Sequence, residues 1–329
     1  MARRAVAALC SVVTLAVVGL AGCGSSSRSA SSPSDVQAAL RSTANQQGLK
    51  LTLTLSGTPG GGNGSSTLTR SQEQAIIDST LILTVHAASG STLANAGNGG
   101  EVDLALEHGL STLGDIRVIG HTLYGKVDIP QFTSTYGLNK GSVARFQSEL
   151  DRLGSQVQGL TALNDGKWVS VDLNSLDTLL AAAGITLPSV PQLVGRIVGA
   201  AFNSLAATAH VDQVHGGQAQ LTVGARPVVT ALARAISGTP GMRSFGTQIQ
   251  NLAQDAQNSV PANANGKVNA TISGGKISNL ELPVKQFERN PTSGGPDTVK
   301  LAVTSAGSVS APSGATVLNV AQLIRALVG

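Results

Sequence analysis

Few residues in this chain are equipped for chemistry, and their placement excludes more than it suggests. Of 329 residues only 5 are histidine and 2 are cysteine, and 12% are charged. The densest grouping is His210, Asp212 and His215, in the stretch HVDQVH. A metal needs ligands that converge on one point. On a strand His210 and Asp212 share a face while His215 points to the other, so no metal site is expected. His86, His108 and His121 fall on separate strands and turns, which suits solvated or hydrogen-bonded surface histidines. The chain lacks the nucleophile elbow G-x-S-x-G, the phosphate loop G-x-x-x-x-G-K-[ST] and the zinc helix H-E-x-x-H. The glycine-rich loop at Gly60–Asn63 is not followed by the helix that a phosphate cradle requires. Neither catalysis nor a cofactor is expected.

One thiol stands out by its surroundings. Arg3 and Arg4 open the chain, and residues 5–22 are nearly all apolar. A basic start, an apolar middle and small residues before a cut make a secretory signal. Eighteen apolar residues also reach the lower limit for a membrane-spanning helix. The four residues Leu20-Ala21-Gly22-Cys23 decide between the two, because they resemble a bacterial lipobox at the expected position. The resemblance implies cleavage before Cys23, a diacylglyceryl thioether on its sulfur, and a new amine open to acylation. Cys10 would leave with residues 1–22, so no intrachain disulfide is expected. Residues 23–34 then read as the lipidated cysteine and a polar, serine-rich tether. One acyl chain gives marginal, reversible binding, whereas two or three hold a protein to a bilayer. The expected location is the extracytoplasmic face of the cell membrane.

Composition limits the partners. Without Arg3 and Arg4 the 22 Lys+Arg fall to 20 against 18 Asp+Glu, a formal charge near +2. There is no basic run to track phosphates, and aromatics for base stacking are scarce, so nucleic acid is not an expected partner. Trp168, Tyr124, Tyr136 and 5 phenylalanines are all the aromatics there are. A core built from this chain must be aliphatic, and removal of 22 residues leaves 307, enough to form one.

The elements follow from periodicity. Residues 32–48 read as a helix capped by Ser34 and ended by Gly48. Leu49, Leu51, Leu53 and Leu55 alternate with Lys50, Thr52 and Thr54, a half-buried strand. Residues 74–89 read as a second strand with Leu81, Leu83 and Val85 on one face, and 101–109 as a third with Val102, Leu104 and Leu106. Gly120-His121 marks a hairpin turn. A helix is expected over 141–158, a strand after Asp165-Gly166, a short helix over 174–184, and an amphipathic helix over 191–208. Hairpins at Gly216-Gly217 and Gly274-Gly275 flank helices over 226–237 and 241–257. A last strand and a helix over 319–328 close the chain. Strands in hairpins with helices inserted predict an α+β fold with an antiparallel sheet. Residues 35–329 are expected to form a single domain, and the recurring order of hairpins then helices hints at a two-lobed or duplicated sheet.

The stretch IRVIGHTLYGKVDIP followed by GKWVSVDLNSL resembles a strand pair of the actinobacterial LppX/LprG-type lipoproteins. GQAQLTVGARPVVTAL resembles their later strand-to-helix step, and GKVNATISGGKISNLELPV with VSAPSGATVLNV their C-terminal strands. The resemblance spans roughly residues 35–325, with longer loops at 57–66 and 90–100. It implies a LolA/LolB-like fold, a curved antiparallel half-barrel around helices, with acyl chains held in an apolar cavity between the two. The implied ligand is an acyl lipid or lipoglycan, and the implied role is its binding or transfer at the cell envelope by a monomer. On this reading Leu193, Ile197 and Phe202 of one helix and Phe245, Ile249 and Leu252 of the next line the cavity. The plain alternative is that they fill a solid core. Tyr124 and Trp168 mark either its mouth or ordinary strand packing, the latter being favoured. An anchored chaperone or adaptor, or a ligand-free surface ectodomain, fits the same residues.

Overall fold

The protein was analysed as a computed structural model, which describes residues 30–59, 68–154, 157, 159–181, 188–242, 251, 254, 265–287, 295–322 and 325. The chain forms a mixed α+β fold on one open, curved sheet of twelve strands. Helix α1 (Pro33–Ala44) leads into β1 (Gly48–Thr58). Helix α2 (Arg70–Ile77) precedes β2 (Ser79–His86), and a 3-10 turn (Leu93–Asn95) precedes β3 (Glu101–His108). Then come β4 (Ser111–Ile119), β5 (Thr122–Val127), α3 (Ile129–Tyr136), α4 (Lys140–Gly154), α5 (Leu160–Asn164) and β6 (Val169–Asp172). Helices α6 (Leu173–Ala181) and α7 (Val190–Thr208) lead to β7 (His210–His215), β8 (Gln218–Gly224) and α8 (Ala225–Ser237). Strands β9 (Asn265–Ser273), β10 (Lys276–Pro283), β11 (Gly295–Ser305) and β12 (Thr316–Val317) complete it.

The strand order is β12-β6-β5-β4-β3-β2-β1-β11-β10-β9-β8-β7. Two antiparallel meanders, β2 to β6 and β7 to β11, therefore flank β1, which joins them through its pairing with β11. The hint of duplication in the sequence corresponds to these two arms of one sheet. The β12–β6 pair is parallel.

Two local expectations change. Helix α1 is capped by Ser32, not Ser34. Its hydroxyl accepts from Asp35 N (3.3 Å) while the Asp35 carboxylate accepts from Ser32 N (3.0 Å). This reciprocal pair satisfies two amides that a helix start leaves open. The helix stops at Ala44, and Gly48 opens β1 instead. The strand expected over 74–89 is a helix followed by a strand. Thr69 and Gln72 form a second capping box, which starts α2, and the chain extends only at Ser79.

Leucine alternation gives β1 an apolar face, and the ladder extends that face across the sheet. Helices α1 and α7 lie on it. Phe202, Val198 and Leu205 of α7, Val36 and Leu40 of α1, and Leu49, Leu221, Leu280 and Leu301 of the strands meet in one core. Helix α7 can come so close because it is glycine there. A Cβ on Gly199 would lie 2.6 Å from Ala94 Cα, and one on Gly195 2.8 Å from Ala96 Cβ. A smaller core of Ile129, Leu150, Val157 and Leu160 closes the far arm beneath Val127.

The opposite, outer face is polar. After β11 the chain crosses it as a strap. Val309 N donates to the Glu101 carboxylate, and Arg117 Nη1 donates to Ser310 O (3.1 Å). Thr316 N then reaches Trp168 O (2.9 Å), where β12 begins.

Candidate functional site

The two cores do not meet, and the gap between them lies on the apolar face. In the register of β1 to β4, Leu49, Val85, Val102 and Val118 form one cross-strand row. The next row is Leu51, Leu83, Leu104, Ile116 and Gly125, and the one after it Leu53, Leu81, Leu106, Gly114 and Val127. Rows on one face are about 7 Å apart. The first row is sealed: all four side chains are buried, and α7 packs on β2 and β3 there. One row on, Leu51 is still buried at 3% exposure, but Leu104 is 37% exposed and Ile116 49%. A Cβ added to Gly125 would meet nothing within 4 Å.

The cause is the reach of α7. Among the described elements it packs on β8 on one arm and on β2 and β3 on the other. Helices α2 and α3 stand against one another, α3 beside β4 and α2 beside β1. Between α7 and the α2/α3 pair the described residues leave an aliphatic trough over β3 to β5, where Leu104 and Ile116 are exposed and Gly125 is open, with half-buried Leu83 at its edge. Exposing such side chains to water is unfavourable by about 25 cal/mol per Å², so an apolar occupant is favoured. Sites for small ligands have this makeup, mostly aliphatic lining with a few polar groups.

At the end where β2 begins, the same face turns polar. Ser79 and His108 are cross-strand partners, and the Tyr136 hydroxyl of α3 lies 2.7 Å from Ser79 Oγ. The carboxylate cluster is on the other side of the sheet. Arg117 pairs with Asp115 (2.8 Å) and Asp103 (3.5 Å), and the Trp168 ring stacks on its guanidinium at 4.9 Å. Burial pushes the Asp103 carboxyl up to about 6, its hydrogen bond and charge repulsion with Asp115 add to this, and Arg117 opposes it. This cluster holds the strap, not the trough.

The residues nominated from sequence divide accordingly. Phe202 is fully buried in the solid main core. Ile197 is half-buried against that core, and Leu193 is half-buried in the first turns of α7. Phe245, Ile249 and Leu252 lie outside the described residues, as do Cys23, the apolar segment 1–22 and most of the tether. Tyr124 and Trp168 face outward beside Arg117, away from the trough. Asp212 accepts from Lys267 Nζ (2.6 Å) and Thr222 Oγ1 (2.8 Å), with His210 3.9 Å away. Those bonds hold the Asp212 carboxyl below its usual range, Lys267 contributing most. Among the described residues no group of three or more His, Cys, Asp or Glu could hold a metal ion, and no helix is long and apolar enough to cross a membrane. The trough residues on β3, β4 and β5 were missed as a site. Their apolar alternation was legible, but what covers them depends on where α7 ends.

Neither a family model nor a curated protein matches the chain. Among solved structures, the crystal structure of LprF from Mycobacterium bovis aligns over 86% of this chain and 96% of its own, at 11% identity and a TM-score of 0.35.

Proposed function

We propose that this chain is a lipid-anchored envelope protein that binds acyl chains in the trough over β3 to β5 and carries them as a passive holder. The stretch Leu104–Ile116–Gly125, exposed at both aliphatic side chains and open at the glycine, carries the reading. Each methylene moved from water into an aliphatic surround contributes about 0.8 kcal/mol. A trough several side chains long can therefore offset much of the cost of lifting a chain out of a bilayer. Leu20-Ala21-Gly22-Cys23 supplies the other half. Acylation of Cys23 would tether residues 30–329 to the extracytoplasmic face of the membrane, within reach of a lipid supply. No covalent step on the ligand is needed. On this reading residues 35–329 act as one unit, a monomer of the LppX/LprG type.

The test is direct. Purify the full chain from membranes, extract it with organic solvent and identify co-purified acyl lipid by mass spectrometry. Bound lipid in the wild type, lost in Ile116→Glu, is the expected outcome. An equal lipid load in both would place any ligand elsewhere. Protein free of lipid, and unable to take up a fluorescent fatty acid, would leave an anchored adaptor as the better reading.

A further inference from the structure

We infer that the polar end of the trough selects lipids whose headgroup carries a free hydroxyl; this rests on the carrier reading of the same trough. The argument is one of proton counting at Ser79, His108 and Tyr136. Ser79 is buried, and its single hydroxyl proton is committed: Oγ donates to the carbonyl of Ala75 at 2.6 Å. A carbonyl can only accept, so this direction is fixed. The Tyr136 hydroxyl, 2.7 Å from Ser79 Oγ, must then be the donor in that pair. His108 Nδ1 lies 3.5 Å from the same oxygen, outside the 2.7–3.2 Å range of a firm N–H···O bond, so the contact sets no tautomer.

The protons of this pair thus run inward, from Tyr136 to Ser79 and on to Ala75. What the Tyr136 oxygen has left for a ligand is acceptor capacity, its lone pairs. Ser79 and His108 sit on the same face as Leu81, Leu106, Leu83 and Leu104, two rows beyond the aliphatic floor, with Leu81 and Leu106 between. A ligand lying in the trough with its chains on Leu83, Leu104 and Ile116 brings its polar end here. To be satisfied it must donate. A glycerol or sugar hydroxyl does so. A fully esterified glycerol offers only acceptors, which meet acceptors. Sites built to hydrogen-bond a hydroxyl discriminate strongly against the analogue that lacks it, because buried polar groups are left unpaired.

The experiment uses the full chain, purified in detergent and delipidated, with two probes of identical chains: a fluorescent 1,2-diacylglycerol and its 3-O-acetyl ester. The wild type is expected to bind the free alcohol roughly tenfold tighter. Tyr136→Phe should reduce that ratio to about threefold, with far-UV and thermal unfolding profiles unchanged. Ser79→Ala frees the Tyr136 proton to point at the ligand, so the ester should gain affinity relative to the alcohol. A structural role alone would not move that ratio. Equal binding of the two probes by the wild type, or a ratio untouched by both substitutions, overturns the hydroxyl selection and leaves the carrier intact. Binding of neither probe overturns the carrier itself and this inference with it.

Discussion

The carbonyl of Ala30 accepts a hydrogen bond from Gly217 N at 3.3 Å, which ties the segment before α1 to the β7–β8 turn. Cys23 stands seven residues earlier, a reach of at most about 25 Å when fully extended. The β7–β8 turn and the β9–β10 turn lie at the strand end where β1 begins, whereas Ser79 and His108 lie at the end where β1 finishes. A lipid on Cys23, as proposed, would therefore hold the turn end nearest the bilayer. Replacement of Cys23 by Ala is expected to move the protein from the membrane to the soluble fraction on cell fractionation. Retention in the membrane would mean that the apolar segment itself is the anchor.

Filling the trough should spare the fold. Gly125 faces open space, so Gly125→Phe adds a ring without displacing a neighbour. The thermal midpoint is expected to stay within about 3 °C of wild type, while uptake of a fluorescent fatty acid falls at least tenfold. A large drop in the midpoint would show that the space beside Gly125 is already occupied.

The core on the other side of α7 should respond in the opposite way. Phe202 has no exposure, and Phe202→Ala removes about 3–5 kcal/mol of stability by leaving a cavity. Gly199→Ala is expected to cost about 1–3 kcal/mol, because the added methyl runs into the backbone of Ala94. Chemical denaturation measures both. Neutral outcomes would contradict a solid interior on this arm.

The strap cluster predicts a pH dependence with a definite sign. The Asp103 carboxyl is raised to about 6 in the folded protein, against about 4 in the unfolded chain. Between those values the folded state holds the extra proton, so stability falls as pH rises from 4 to 6 and is then level. Asp103→Asn removes this contribution. The wild-type minus variant difference in unfolding free energy should therefore decline across pH 4–6 and stay flat above pH 7. A difference that rises with pH would place the proton elsewhere.

Much of the fold was legible. Strict leucine alternation in β1, and glycine pairs at the hairpins, gave the antiparallel sheet because each signal is local. Helix α2 was missed because the apolar residues Ile76, Ile77, Leu81 and Leu83 were read as one strand across the polar break Asp78-Ser79-Thr80. The capping box at Thr69 and Gln72 was the signal that separated them. The candidate site was less legible for a physical reason. Leu104 and Ile116 carry the same residue types as buried Leu51 and Val118, and only the length of α7 and the register of five strands distinguish them. Phe202 was nominated for its apolar helix face, a feature shared by every helix that fills a core.

The strap that follows β11 has a mechanical consequence. A half-sheet with only a small core on its inner face has less packing to resist its own coiling. Ties from Glu101, Arg117 and Trp168 to residues 309–316 brace that half from the back. The curvature of that half is then fixed from behind by hydrogen bonds to the strap rather than by packing in front of it.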